Sequence, residues 1–532
     1  MKQITDPWGL PGSTSVAGWT KVTASWSWVI GAFALLAVIA RVRDYLRLRH
    51  IRGPWLASWT DFWLIRSQYG GRMNLDLDEV CRKYGKVVRV APNWVVCADA
   101  EEIRKIWAAR SQWRRGVWYR GLRLDPRRDS TFTTVDEQLH AALRSKLTPG
   151  YSGKDVDNVH RLIDEQVAAF VGLLESKYLS SDSSGTGDDE AGRPAVYRPV
   201  DIARKVQYLT LDIISSLAFG EPLGNLAADA DALGYIHTME SNMAIMMTLA
   251  LCPYIFLPLQ SRLLSWMVPN ARGMAGIGDV MGLAHEAVAD RFANHKAGAP
   301  PPRRDMLSSF VAHGLGREDC EGEAVTQIVA GSDTSATAIR STLLLVMATP
   351  AAYGRLQAEI DGAARAGRLS SPATDAEARA LPYLQAVVRE GIRMFPPATG
   401  LLPKVSDADE VVAGVRVPAG TNVAWAPWPI MHDRAVFGED ADMFRPERWI
   451  EAGPERWRLM DQTVMMDFKT SSRYECLGKT IALIELNKTY VELFRRFDLA
   501  IVDPTNPWKS FNAAFFIQSD LNVKITRRKN PV

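Results

Sequence analysis

The chain has 532 residues, 47% of them hydrophobic and 23% charged, so it can bury a large core as one large domain or several small ones. Its 63 Lys and Arg against 60 Asp and Glu leave a net charge of +3, too balanced for a nucleic-acid surface, and no arginine-aromatic array of the single-strand-binding kind is visible. Five scattered cysteines (Cys81, Cys97, Cys252, Cys320, Cys476) without Cys-x-x-Cys spacing argue against a disulfide framework or a structural zinc site, and put the bulk of the chain in a reducing compartment.

Thr23 to Ala40 is an uncharged run of 18 residues. As a helix it is roughly 27 Å long, enough to cross a bilayer core. Trp19, Trp26 and Trp28 mark its N-terminal end, and Arg41, Arg43, Arg47, Arg49 and Arg52 follow it, so the positive-inside rule puts everything after Ala40 in the cytoplasm. A signal peptide has a shorter apolar core with basic residues before it, so the run reads as an uncleaved anchor. Residues 1–22 are then a luminal tail, 23–40 a transmembrane helix, 41–54 a basic linker broken at Gly53-Pro54, and 55–532 one large domain.

Lys86 to Ala91 and Trp94 to Ala98 predict a hairpin around Pro92-Asn93. Arg114, Arg115, Trp118, Tyr119, Arg120 and Arg123 form a basic aromatic segment that reads as a solvated loop rather than an anion site. His140 and Arg144 share a helical face at i, i+4, an ordinary surface pair unless an anionic ligand lies opposite. Ser180 to Pro194 is polar, acidic and Gly/Ser-rich, and reads as a disordered surface insertion, not a domain boundary. Met243 to Leu259 carries no charge and is long enough for a span, but Pro253 and Pro258 argue against a straight one. Two readings stay open for this stretch: a buried core helix ending near Cys252, or a Met-rich roof over a hydrophobic ligand site that also touches the membrane.

Glu318 to Thr349 predicts a helix of about 30 residues, opened by acidic residues and stopped by Pro350. Its centre, Ala330-Gly331-Ser332-Asp333-Thr334-Ser335, is a run of poor helix formers, where Gly alone costs about 1 kcal/mol relative to Ala. That cost predicts a local opening of the hydrogen-bond ladder beside a ligand, with the Thr334 hydroxyl and Asp333 carboxylate placed to handle protons. Glu390 and Arg393 stand i, i+3 on a helix over Leu381 to Met394, ended by Pro396-Pro397. Arg448, in Phe444-Arg445-Pro446-Glu447-Arg448-Trp449, could close a buried Glu-Arg-Arg network with them and hold the next motif in register.

That motif is Tyr474-Glu475-Cys476-Leu477-Gly478-Lys479, followed by Leu483, Leu486, Tyr490, Leu493 and Phe497 at the spacing of a buried helix face. Cys476 is expected just ahead of a helix N-terminus, where unpaired N–H groups and the helix dipole lower a thiol's pKa and favour the metal-binding thiolate. Gly478 lets the backbone approach a large flat ligand.

AGSDTS (330–335), EGIR (390–393), FRPERW (444–449) and CLGKTIA (476–482), in this order behind an apolar N-terminal run and a Gly-Pro hinge, resemble the cytochrome P-450 superfamily of haem-thiolate monooxygenases. The resemblance covers residues 23 to 527, and its tail (ALIELNK, then ELFRRFD) looks most like fungal secondary-metabolism members related to pisatin demethylase and benzoate hydroxylase. It implies a mainly α fold with small β-sheets, preceded by one N-terminal transmembrane helix, with 55–532 as the catalytic domain. It further implies haem b with Cys476 as axial iron ligand, oxygen activation assisted by Asp333 and Thr334, and Glu390, Arg393 and Arg448 as a structural network. Arg144, Lys404 and Arg473 are then the expected partners of the haem propionates, and His140 a further cofactor-binding residue. One departure stands out: Phe468 precedes Cys476 by one residue too many, Ser471 replaces the family's glycine, and Arg473 lies three rather than two residues before the cysteine, so the loop is expected to bulge or re-register.

The resemblance also implies an NADPH-dependent cytochrome P-450 reductase as electron donor, with a b-type cytochrome as a further candidate, since the chain shows no flavin or dinucleotide fingerprint. The expected substrate is a hydrophobic small molecule, held by residues within 112–132, 236–260, 326–334, 398–403 and 513–517. The expected location is the endoplasmic reticulum membrane, in a single pass with the catalytic domain cytoplasmic. Two other readings are a haem-thiolate isomerase or dehydratase without a reductase, which the presence of both Asp333 and Thr334 argues against, and a non-catalytic haem-binding protein.

Overall fold

A computed structural model describes residues 31–32, 35–125, 128–181, 196–261, 264, 276–296 and 304–528. The expected luminal tail, the residues 23–30, 33 and 34 of the expected anchor, and the expected insertion from residue 182 onward lie outside the described residues; 31–32 and 35–48 are helical. Among the described residues no single helix is long and apolar enough to cross a membrane.

The expected hairpin is present as β1 (Val87–Ala91) and β2 (Trp94–Cys97), antiparallel with Ala91 opposite Trp94. Three further strands, β3 (Arg114–Arg115), β4 (Leu401–Val405) and β5 (Asn422–Trp425), complete a five-stranded sheet in the order β1-β2-β5-β4-β3. Only β2 and β5 run parallel, and β3 and β4 place Arg115 directly opposite Lys404. Every residue of β1, β2 and β4 is buried, as their near-continuous apolar sequences require.

Eight helices frame the site. In α1 (Glu137–Tyr151) the Asp136 carboxylate accepts from the Gln138 and Leu139 N–H groups, and in α2 (Ile202–Phe219) Asp201 caps Ala203 and Arg204 likewise; such caps contribute about 1 kcal/mol each. Helices α3 (Tyr235–Leu251) and α4 (Pro253–Leu259) meet at a 100° bend, because Pro253 has no N–H to continue α3 and opens α4 instead. After α5 (Ile277–Lys296) comes α6 (Arg317–Met347), the long helix that packs against α2, α5, α7 (Pro382–Met394) and α8 (Lys479–Arg496). Two glycines allow its close approaches. A Cβ on Gly331 would come within 2.9 Å of Ile214 Cγ1 in α2, and one on Gly391 of α7 would overlap Thr342 Oγ1.

The expected opening of the ladder at 330–335 is not found. Helix α6 runs unbroken, because its polar side chains bond within it: Thr334 Oγ1 donates to the Ala330 carbonyl at 2.7 Å and Ser332 Oγ to the Ile328 carbonyl at 2.8 Å.

The Glu-Arg-Arg network forms and is fully enclosed. Glu390 accepts from Arg393 Nε (2.9 Å) and Nη2 (2.7 Å), Arg448 Nε (2.8 Å), Trp449 Nε1 (2.9 Å) and the Arg445 N–H (3.0 Å). Burial raises a carboxyl's pKa, but here the charge and hydrogen bonds of Arg393, then of Arg448, outweigh it and hold Glu390 below the ordinary range. Arg393 also donates to the carbonyls of Met431, Ala441 and Met443. The network therefore fastens α7 to the segment from 431 to 449 that leads toward the cysteine loop, not to the loop itself.

Candidate functional site

Cys476 lies where the sequence predicts, two residues before the Gly478 that opens α8. The extra loop residue is absorbed by two non-glycine residues in the left-handed region, Lys469 (φ 53°) and Ser471 (φ 66°), so that the Cys476 N–H still reaches the Phe468 carbonyl at 2.8 Å. The loop re-registers, as its length demands. The sulfur is exposed to a cavity of about 710 Å³ and is otherwise surrounded by protein. Burial consequently pushes the thiol's pKa up, and the Gly478 N–H and the Lys469 charge only partly offset it. The lowering expected from the helix N-terminus is real in sign but smaller than the burial cost.

The roof of the cavity is Met239, Met243, Met246 and Met247 of α3 with Met281 of α5. Both sequence readings of this stretch therefore hold in part: α3 is a core helix on one face and a Met-rich roof over a cavity. Helix α6 contributes Ala330, Gly331, Asp333 and Thr334 to the wall. Burial pushes Asp333 up to about 6, and Gln207 Nε2 of α2 donates to its Oδ1 at 2.5 Å.

At one edge, basic side chains converge. Arg144 Nη1 donates to the Glu475 carbonyl at 2.6 Å, while His140 beside it is buried rather than on the surface. Burial, then the charges of Arg115 and Arg144, lower His140 to about 3. Arg115, expected in a solvated loop, is instead 6% exposed and lines the cavity; Nη1 donates to the Thr131 carbonyl at 2.6 Å and Nε has no partner. Lys404, its cross-strand neighbour, is fully buried with an unpartnered Nζ 3.0 Å from the centre of the Tyr474 ring, and burial lowers it to about 5. Arg115 stands over the same ring at 4.4 Å.

Two sequence-predicted residues are thus not where they were expected. Neither Lys404 nor Arg473 lines the cavity. Tyr474 covers Lys404, and the one-residue shift of the loop turns Arg473 to the Ser111 and Trp113 carbonyls and to Glu137, 3.5 Å away. Cys476, Gly478, His140, Arg144, Asp333 and Thr334 do come together in the wall, whereas Glu390, Arg393 and Arg448 form their separate network. Two buried acids in the wall carry no sequence signal beyond being charged at helical core positions: Glu323, pushed by burial to about 7 and accepting from Thr131 Oγ1 at 2.7 Å, and Glu485, pushed to about 8.

The Arg115 and Arg144 guanidiniums, with Arg115 Nε left without a partner, beside a thiol open to a large and mainly apolar cavity fit a ligand that is apolar, anionic at one edge and thiol-binding. The comparisons with known proteins agree with that chemistry. The profile of the family described as Cytochrome P450 matches residues 53–526. Cytochrome P450 monooxygenase ABA1 of Pyricularia oryzae is 39% identical over 94% of this chain and 97% of its own length. Cytochrome P450 monooxygenase aba1 of Botryotinia fuckeliana is 36% identical over 90% of this chain and 92% of its own, and Cytochrome P450 monooxygenase abl1 of Leptosphaeria maculans 33% over 91% and 84%. The chain belongs to the cytochrome P450 superfamily, the haem b-binding, haem-thiolate oxidoreductases, and is a monooxygenase of that class.

Proposed function

We propose that this enzyme is membrane-bound and oxidises a hydrophobic small molecule in fungal secondary-metabolite biosynthesis, using O2 and NADPH electrons delivered by a separate reductase at the endoplasmic reticulum. The observation that carries the reading is the Cys476 sulfur opening into a cavity roofed by five methionines. Cys476 would ligate the haem iron, Gly478 would leave room for the macrocycle, and Arg115, His140 and Arg144 would hold the propionates. Bound there, haem supplies O2 activation and oxygen transfer.

The protein's own groups do the rest. Arg144 and Arg115 are already fixed on carbonyls, so each presents its remaining N–H groups without reorganisation. The Met roof excludes water while adapting to an irregular apolar body. Thr334 holds a proton at Oγ1, bonded back to Ala330 until a better acceptor arrives in the cavity. Asp333, with a pKa of about 6, gives up and regains a proton near neutral pH.

Two surfaces support the partners. On the outer face of α3 and α4, Ile245, Leu249, Tyr254, Ile255 and Leu257 are all at least partly exposed, an apolar patch suited to a bilayer. A second cavity, about 470 Å³, shares Trp107 and Lys469 with the first and is lined by Arg104, Arg379, Arg389 and Lys479; the last three pair with Asp375, Asp461 and Glu475, which leaves Arg104 and Lys469 as the cations suited to an acidic electron donor.

The test is Thr334→Ala, reconstituted with a P450 reductase and a confirmed substrate. Without the Thr334 proton, product per NADPH should fall by roughly an order of magnitude while hydrogen peroxide rises. A haem-thiolate isomerase would consume no NADPH, and unchanged coupling would remove Thr334 from the reaction.

A further inference from the structure

Helices α2 and α6 approach closely where Gly331 admits Ile214, and the same contact brings Gln207 of α2 to Asp333 of α6. Gln207 is 2% exposed, and its Oε1 has no hydrogen-bond partner while its Nε2 is committed to Asp333. Asp333 is thus part of the cavity wall and yet tethered to a helix behind that wall. One turn from Gln207 on the same helix, Arg204 forms a two-point pair with Glu240 of α3, at 2.9 and 3.2 Å, and both side chains remain about a quarter exposed, at 24% and 23%. Tyr235 of α3, 1% exposed, adds a hydroxyl without a partner. These groups form a polar seam between α2, α3 and α6: its Arg204 and Glu240 end is partly exposed, and the charges of both act on Asp333.

We propose that Gln207 is the positioning residue for Asp333: its amide holds the carboxyl toward α2, and release of that hydrogen bond lets the carboxyl carry a proton from the seam to the cavity. One proton enters at an Asp333 oxygen from the side of Arg204 and Glu240, and one leaves on the cavity side, so the carboxyl is unchanged over a cycle. The inference rests on Asp333 as the acid of the proposed reaction and adds what sets its orientation and timing. The groups acting on Asp333 agree with a balanced carboxyl. Burial raises its pKa, Arg340 on its own helix lowers it, Glu240 raises it, and Gln207 and Arg204 lower it, leaving about 6.

The experiment uses full-length, haem-loaded wild type, Gln207→Leu, Gln207→Glu and Asp333→Asn, each first checked for a native carbon monoxide spectrum. The carboxyl C=O infrared band that Asp333→Asn removes is followed against pH. Gln207→Leu deletes a hydrogen bond that favours the carboxylate, so the midpoint should rise by about one pH unit, the usual worth of a hydrogen bond to a charged group. The pH at which peroxide released per NADPH changes should move with it. Gln207→Glu should restore wild-type behaviour only at low pH, where the new carboxyl is protonated and still donates. Should Gln207→Leu fail to load haem, Gln207→Asn, which keeps the amide but is too short to reach, replaces it. An unmoved infrared midpoint, with Asp333→Asn altering the peroxide ratio, overturns the positioning role and leaves Asp333 as the acid. An unaltered peroxide ratio in Asp333→Asn overturns the acid reading itself.

Discussion

Replacing Cys476 with Ser exchanges a sulfur for a hydroxyl that is a far poorer iron ligand at neutral pH, so Cys476→Ser is expected to lose the red-shifted Soret band of the reduced carbon monoxide complex. An unchanged band would hand the ligand role to another cysteine. The structure offers no good substitute: Cys81, Cys97, Cys252 and Cys320 are all buried with thiols pushed up by burial, and none of them lines the cavity. Single residues also show where reading the sequence stops. Cys476, Gly478, Asp333 and Thr334 are legible because each sits in a motif whose spacing carries meaning. Arg115 is not, because a strand of two residues has no period to recognise and its partner Lys404 is nearly 300 positions away in the chain. Lys404 is legible as a basic residue near the site, but that the Tyr474 ring lies over it is a consequence of packing that no local pattern encodes.

At the scale of elements, long periodic segments were legible and their interruptions were not. Helices α6 and α7 begin and end within a few residues of their predicted bounds, since acidic openings, prolines and apolar spacing all point the same way, and α8 follows Cys476 as expected but stops at Arg496, leaving Phe497 to open a strand. The poor helix formers in the middle of α6 misled: their hydroxyls stay inside the helix and their small size serves contact with α2. From Met243 onward the bent pair α3 and α4 is mainly apolar on both faces, methionines inward and Ile255 and Leu257 outward, as a cavity roof lying against lipid would need. Removing residues 1–40 should therefore shift the protein toward the soluble fraction without changing the haem spectrum, while leaving a residual, detergent-reversible association with liposomes. Ile255→Glu with Leu257→Glu should abolish that remainder in a flotation assay; if it persists, the patch is not what meets the bilayer.

For the molecule as a whole, the Glu390 network is the point where stability and architecture coincide. Removing one partner leaves the others buried without compensation, so Glu390→Ala should cost about 3–5 kcal/mol in chemical denaturation and lower the fraction of chains that load haem. Glu390 is held below its ordinary value when folded, so its contribution is fully present above the unfolded carboxylate's pKa and is lost as pH falls through the folded one. The wild type should lose stability in acid more steeply than Glu390→Ala does, which parallel melts across acidic pH would read. The wall between the two cavities has a consequence of its own. Lys469 belongs to both, its Nζ is 3.9 Å from the Trp425 ring, and its pKa of about 8 leaves the charge easily shed. Its cation acts on the Cys476 sulfur, so the partition transmits to the sulfur a change of charge on its outer side, with no atom of the cavity wall having to move.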